Sequence, residues 1–374
     1  MLVYILIILL CLLLNVVFNV NKNKIRKRNY LIVMFTLITL ISALRDVTVG
    51  IDTRQYWNAY QIIGELDWSE WTYMRYEWGF FALCKALNYV STNPQLLIII
   101  SSVIIMPSVG RAIYKYSEKV EISTFLFLSF NYFSLYMPLM RQGIAIAIFL
   151  WAIDYLFKGK YIRYCCFIVF ASLFHKSALI LFILPLLLNK KYTKKIFFTF
   201  LLLAIILGSI SKKLFLLVTS ISIFTKYRGY INTIYANSNY GAALVYSLIA
   251  LIILCVGYYY LQNNFITSTQ KNEYLVEEQE KRIYINLLAY LVSIAFVSEV
   301  MVMNMSIIGR VSVYFRIFYL FWIPAAIKNI SCKEERMLVL FSLIILMSSL
   351  FIIVGVYRPE WYGVVPYRFF HNYQ

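Results

Sequence analysis

The stretch Leu2–Arg28, LVYILIILLCLLLNVVFNVNKNKIRKR, sets the class of fold. Residues 2–20 carry no charged side chain, and Lys22, Lys24, Arg26, Lys27 and Arg28 follow at once. An apolar run of about 20 residues crosses a bilayer as a helix. A Lys/Arg cluster at its end stays on the cytoplasmic face, which puts the N-terminus outside. The run has neither a basic leading segment nor a small-residue cleavage site, so it is expected to be a retained first span.

The pattern repeats along the chain. Of the 374 residues, 62% are hydrophobic and 14% charged, more apolar surface than a soluble domain can hide. The apolar runs are continuous rather than alternating, which argues for helices and against a β-barrel. Further full spans are expected at 30–44, 95–113, 122–138, 141–157, 196–216, 242–261, 283–302, 306–327 and 338–356. The expected fold is therefore an all-α polytopic integral membrane protein of about ten transmembrane helices. It forms one membrane domain over 1–374, with external loops near 45–76 and 219–240 and a cytoplasmic loop near 262–282. Both termini are expected outside the cytoplasm. No internal repeat is visible, which weighs against transporter folds built from duplicated halves.

The formal charge of +18 does not point to nucleic acid, because the basic residues cluster at helix ends. There they meet the positive-inside rule and suit anionic lipid headgroups. The six cysteines, Cys11, Cys84, Cys165, Cys166, Cys255 and Cys332, lack metal-ligand spacing and read as small core residues. Asp154, four residues before Lys158, reads as a helix-surface ion pair.

Residues 165–188 break the pattern. Basic clusters flank them on both sides, Lys158–Arg163 and Lys190–Lys195, so a single crossing would export one cluster. A helix broken at His175-Lys176-Ser177 keeps both inside, with interrupted backbone lining a cavity. Residues 77–92, interrupted by Lys85 and Asn88, read as a short segment dipping into the outer leaflet.

The remaining ions gather toward the face opposite the basic clusters: Arg45, Asp46, Asp52, Glu77, Arg141, His175, Glu299 and Arg310. Arg45 and Asp46 end a span, with Gly50, Asp52, Thr53 and Tyr56 behind them. These acidic residues can act as base, orient an acceptor hydroxyl or hold a cation; equally, Arg45-Asp46 can anchor the loop. Trp57, Trp68, Trp71 and Tyr73 suit the headgroup boundary or stacking on a sugar face. Arg141 and Gln142 open a helix, where guanidinium and free backbone donors together receive phosphate oxygens. Snorkelling of Arg141 to headgroups is the alternative. His175 inside an apolar segment either takes a hydroxyl proton or is a satisfied structural residue. Arg310 and Arg316 share an aromatic helix with Tyr314, and Glu299 is placed to pair with Arg310. Nucleotide-binding signatures are absent, so any glycosyl or acyl donor is expected to be lipid-linked rather than a soluble nucleotide.

In order, Leu44-Arg45-Asp46 with Gly50-Ile51-Asp52-Thr53 and Tyr56, then Glu77-Trp78-Gly79-Phe80, then Arg141-Gln142-Gly143-Ile144-Ala145 make a series. Phe174-His175-Lys176-Ser177-Ala178-Leu179 and Arg310 with Tyr314 complete it, with Pro366-Tyr367-Arg368-Phe369-Phe370 at the end. The series resembles the EpsG family, which is similar to Wzy-type polysaccharide polymerases, over roughly residues 40–320. The resemblance implies a glycosyltransferase of the bacterial inner membrane. Such an enzyme joins oligosaccharide repeat units carried on undecaprenyl diphosphate, outside the cytoplasm, into O-antigen, capsule or exopolysaccharide.

On that resemblance, Arg141, Arg310, Arg45, Gln142, Arg316, Tyr56 and Tyr314 are the expected diphosphate and substrate contacts. His175, Asp52, Asp46 and Glu77 are the expected catalytic set. A diphosphate is already a good leaving group, so no metal and no cofactor is expected. The partners implied are the lipid-linked oligosaccharide, membrane lipid, a chain-length regulator and a flippase. An O-antigen ligase would share this topology but usually carries a larger late external loop than 219–240. A repeat-unit flippase would show polar residues at several depths rather than at one face.

Overall fold

The computed structural model describes residues 1–220, 229, 240–262 and 276–371. The loops expected near 219–240 and 262–282 lie mostly outside the described residues. In chain order the helices are α1 (Leu2–Phe18), α2 (Lys24–Ala43), α3 (Thr53–Glu65), α4 (Trp78–Asn88) and α5 (Gln95–Tyr116). They continue as α6 (Val120–Ser129), α7 (Tyr132–Tyr136), α8 (Met140–Phe157), α9 (Tyr161–Ser172), α10 (Leu184–Leu187) and α11 (Lys194–Ser220). The last are α12 (Tyr240–Leu261), α13 (Val276–Val302), α14 (Gly309–Arg316), α15 (Tyr319–Lys328) and α16 (Lys333–Tyr357). Among the described residues no strand forms; Arg45 and Phe369 make an isolated antiparallel bridge. In hydrocarbon a helix satisfies its own backbone groups, which is why apolar runs of this length adopt it.

The protein is thus an all-α, multi-pass membrane protein. Among the described residues six helices are long and apolar enough to cross a bilayer, and a bent pair, Ser306–Arg316 with Tyr319–Lys328 at 46°, makes a seventh. Four apolar helices are shorter: Leu2–Phe18, Val120–Ser129, Tyr161–Ser172 and Lys176–Leu187. Several expected spans therefore exist in shortened or divided form. The run 122–138 divides at Asn131, whose left-handed backbone (φ 60°) ends α6 and starts α7. The region 45–76, expected as loop, contains the 13-residue α3 and a 3₁₀ turn over Trp68–Tyr73.

The chain groups into two compact units, Met1–Phe182 with Cys332–Gln374, and Ile183–Ser331. In the first, α5 packs along both α2 and α8. The Asn23 side chain caps α2 by accepting from the Arg26 amide at 2.9 Å. At the far end of α2, the Gln95 side-chain amide donates to the Ala43 carbonyl at 2.8 Å. Arg111, Lys115 and Tyr116, on the last turns of α5, all reach Asp154, with Lys115 Nζ at 2.7 Å. Asp154 is therefore tied to α5 across the bundle rather than to Lys158 on its own helix surface. Lys27 Nζ meets the Ser117 carbonyl at 3.5 Å and Lys119 Nζ meets Asn21 at 3.2 Å. One end of this bundle is thus strongly basic.

In the second unit α11, α12 and α15 pack against α13. Trp322 is fully buried and donates to the Ile253 carbonyl at 3.0 Å, and the Tyr192 hydroxyl meets Ser293 at 2.5 Å. Of the cysteines only Cys11 and Cys84 are buried, while Cys166, Cys255 and Cys332 are exposed, so the core reading holds for two.

Candidate functional site

Glu77, Arg141 and three aromatic rings form one cluster in the first unit. Arg141 lies on the first turn of α8, next to backbone donors that no intrahelical carbonyl can satisfy. Its Nη1 stands 2.5 Å from Glu77 Oε2, and the two side chains are only 16% and 6% exposed. The guanidinium carbon lies 4.8 Å from the Tyr76 ring centre, 5.7 Å from Tyr56 and 5.9 Å from Phe80. The three rings also touch one another, with centroids 5.4–6.2 Å apart. Arg141 Nε is directed at the Tyr56 hydroxyl at 3.4 Å, and Gln55 donates to the Tyr76 hydroxyl at 3.1 Å. Aromatic faces attract a cation, more so away from water. Burial raises the Tyr56 hydroxyl pKa, and the neighbouring Arg141 charge works against that rise.

The break at His175 adjoins this cluster. Helix α9 ends at Ser172, and a 3₁₀ stretch, Lys176–Ile183, follows. Neither Gly nor Pro stands at the break, so its cause lies in contacts. The Leu173 carbonyl accepts the Gly79 amide of α4 at 2.8 Å. A Cβ at Gly79 would lie 2.8 Å from that same carbonyl oxygen, so only glycine allows this approach. The His175 amide reaches the Ala171 carbonyl at 3.1 Å, and its own carbonyl accepts Ala178 at 3.0 Å. These bonds pair part of the interrupted backbone within the protein. The His175 imidazole, 6% exposed, has Nδ1 2.5 Å from Ser177 Oγ.

The Arg45–Asp46 element is built differently. Arg45 is 1% exposed. It donates to the Ser42 carbonyl, to Ser42 and Ser102 Oγ at 3.0 and 3.2 Å, and to the Met137 carbonyl at 2.6 Å. It ties α2 to α5 and to the turn before α8, and so serves as an internal anchor rather than the diphosphate contact expected of it. Asp46, equally buried, accepts the Thr48 amide at 2.9 Å and the Thr48 hydroxyl at 2.7 Å. Both bonds use Oδ1, and Asp46 Oδ2 is buried without a hydrogen-bond partner. Asp52 stands at the N-cap of α3, partly exposed and near Tyr56.

The C-terminal tail crosses this loop. Gly50 and Ile51 donate to Gly363 and Tyr362 at 2.7 and 3.0 Å, and Asp46 donates to Arg368 at 2.9 Å. Phe370 donates to Leu44 at 2.8 Å, and the Tyr367 hydroxyl reaches the Ile41 carbonyl at 2.7 Å. Burial lifts the Tyr367 hydroxyl pKa to about 12, against a lowering from Arg45. Gly50 adopts φ +104°, and a Cβ there would sit 2.6 Å from Thr53 Oγ1.

The second unit holds its own cluster. Glu299 accepts from Ser312 and lies 3.2 Å from Arg316 Nε, an ion pair without hydrogen-bond alignment. Arg316, not Arg310, is thus the partner of Glu299. Its guanidinium also lies 5.8 Å from the Tyr246 ring centre. Gln142 and Tyr314 are buried.

The structure therefore brings Tyr56, Glu77 and Arg141 together and seats the His175 break beside them. Phe80 enters the sequence reading only within the Glu77-Trp78-Gly79-Phe80 string, and Tyr76, which adjoins it, is not among the expected site residues. The EpsG family model matches residues 28–369. No curated protein and no solved structure matches the chain.

Proposed function

The chain belongs to the EpsG family, whose members are Wzy-like polymerases, and from that premise we propose that it polymerises undecaprenyl-diphosphate-linked oligosaccharide repeat units. The observation that carries the reading is Arg141: a guanidinium at a helix start, walled by three rings and held by Glu77. Such a group suits the oxygens of a diphosphate, and the start of α8 adds the favourable end of the helix dipole.

In the proposed reaction a sugar hydroxyl of the incoming unit attacks the anomeric carbon of the growing chain. The new C–O bond forms as the anomeric carbon–oxygen bond to diphosphate breaks, and undecaprenyl diphosphate leaves with the electron pair. Arg141 stabilises the charge growing on that diphosphate. His175 or Asp52 takes the hydroxyl proton. Glu77, engaged by Arg141, is a positioning residue rather than the base. Arg310 and Gln142 remain further candidates for substrate contact. The segment around His175 is proposed to be re-entrant, and the Arg141 end of α8 to face away from the cytoplasm.

The test uses purified protein in liposomes with a synthetic lipid-linked repeat unit and no energy source, and sizes the product. Products longer than one unit support the reading. Transfer of single units across the bilayer without extension would show a transporter, and transfer onto a different lipid acceptor a ligase.

A further inference from the structure

We propose that the groove between α2 and α5, at the basic end of the first unit, seats one anionic phospholipid of the bilayer. The groove has a volume of about 460 Å³, within the range of small-ligand pockets, and its walls are almost wholly apolar. Leu31, Ile32, Phe35 and Leu40 line it from α2, and Pro107 from α5. Three polar residues, Arg28, Arg111 and Tyr114, close one end. An apolar trough with cations at one end matches an acyl chain with its phosphate.

The charge at that end is incomplete without a ligand. Arg111, Lys115 and Tyr116 share the single carboxylate of Asp154. Arg28 also lines the groove and adds a third cation to that one anion. Arg111 Nη1 is buried and has no acceptor, although the guanidinium stacks 3.9 Å over Trp151. A phosphate between Arg28 and Arg111 would supply that acceptor after a small swing of the guanidinium. Basic pockets between membrane helices bind anionic headgroups in this way.

The groove is separate from the Arg141 cluster. From Arg28 to Arg45, α2 rises roughly 25 Å, and α8 carries Arg141 at one end and Asp154 toward the other. The lipid seat and the proposed polymerase site thus lie toward opposite ends of the first unit's bundle, and the test needs no polymerase activity.

Purified full-length protein in nanodiscs of equal phosphatidylglycerol and phosphatidylcholine is weighed by native mass spectrometry during stepwise delipidation. The wild type is expected to keep one phosphatidylglycerol after phosphatidylcholine is lost. Arg28→Gln should lower that retention about fivefold, the effect of one cation near an anionic headgroup. Thr36→Trp, which fills the groove from an exposed position on α2, should lower it at least as much. Both positions are exposed, so the variants should fold and elute as the wild type does. Equal retention of the two lipids, wild-type retention in both variants, or a second protein copy covering the groove overturns the proposal.

Discussion

The amide of Gly79 donates to the carbonyl of Leu173 across 2.8 Å, joining the start of α4 to the break before His175. Glu77 stands two residues before Gly79, so the bond ties the Glu77 end of α4 to the interrupted helix. A side chain at Gly79 would press on Leu173 on both its carbonyl oxygen and its Cβ, at 2.8 and 2.9 Å. Gly79→Val should lower stability by about 1–3 kcal/mol through overpacking and shorten or abolish polymer. Thermal unfolding in detergent, read beside product length, checks this. A variant with unchanged melting and full-length product would show that the contact is dispensable.

Arg141 and Glu77 should behave as a coupled pair. Arg141→Ala is expected to abolish polymer at unchanged protein level. Arg141→Lys should restore little of it, because an ammonium lacks the planar fork and stacks poorly on rings. Glu77→Gln removes a charge-assisted hydrogen bond worth about 1.5–3 kcal/mol. Because both residues act at one point, Arg141→Ala with Glu77→Gln should lose less than the sum of the two single losses. Strict additivity in elongation rate and melting would separate the two residues. Near-normal chain length in Arg141→Ala would remove Arg141 from the mechanism.

The sequence made the membrane class, the basic end of the bundle and the interruption at His175 readable, because each follows from local charge and hydropathy. The partners of the ions were less readable. Asp154 looked toward Lys158 one turn away, but three donors on α5, 38 to 43 residues distant, claim it. Glu299 took Arg316 over Arg310 for the same kind of reason, since helix phase and the bend after α14 decide which arginine faces it. The split at Asn131 depends on one left-handed residue with no flanking Gly or Pro. The tail pairs with the Leu44–Ile51 loop through backbone groups that carry no sequence signature.

Lys85 should matter for stability alone. Its Nζ donates to the Gly64 carbonyl at 2.9 Å and to the Leu66 carbonyl, closing the C-terminal end of α3, where a cation also meets the helix dipole favourably. This explains a lysine inside the apolar segment 77–92. Lys85→Met should remove about 1.5–3 kcal/mol and leave the products of the surviving protein at normal length. A shortened product at unchanged melting would place Lys85 in the chemistry instead.

The tail contact should appear as an alkaline weakness. The Tyr367 hydroxyl is raised to about 12 in the folded protein, above its ordinary value near 10. A raised acid keeps its proton in the fold after the unfolded chain has lost it. Its contribution is therefore complete below pH 10 and declines as pH rises from 10 toward 12. Tyr367→Phe should be less stable than wild type at neutral pH but lose less on going from pH 9 to 11. Parallel melting curves for the two proteins across that range would exclude Tyr367 as the titrating group.

His175 carries the sharpest prediction for catalysis. Its Nδ1 and the Ser177 hydroxyl lie 2.5 Å apart, a hydrogen bond in which either group can donate. If Nδ1 donates to Ser177, Nε2 presents a lone pair and the ring is competent as a base. His175→Ala should then slow elongation by about 10²–10⁴, the usual worth of a positioned base, without altering retention of the lipid-linked substrate. Ser177→Ala should cause a smaller loss, because the ring remains but its tautomer is no longer selected. Elongation rate is measured against pH in all three proteins. The base role predicts an acid-side limb in the wild type that is absent from His175→Ala. A fully active His175→Ala with the wild-type pH profile would leave the imidazole a structural residue, and the proton would then fall to Asp52.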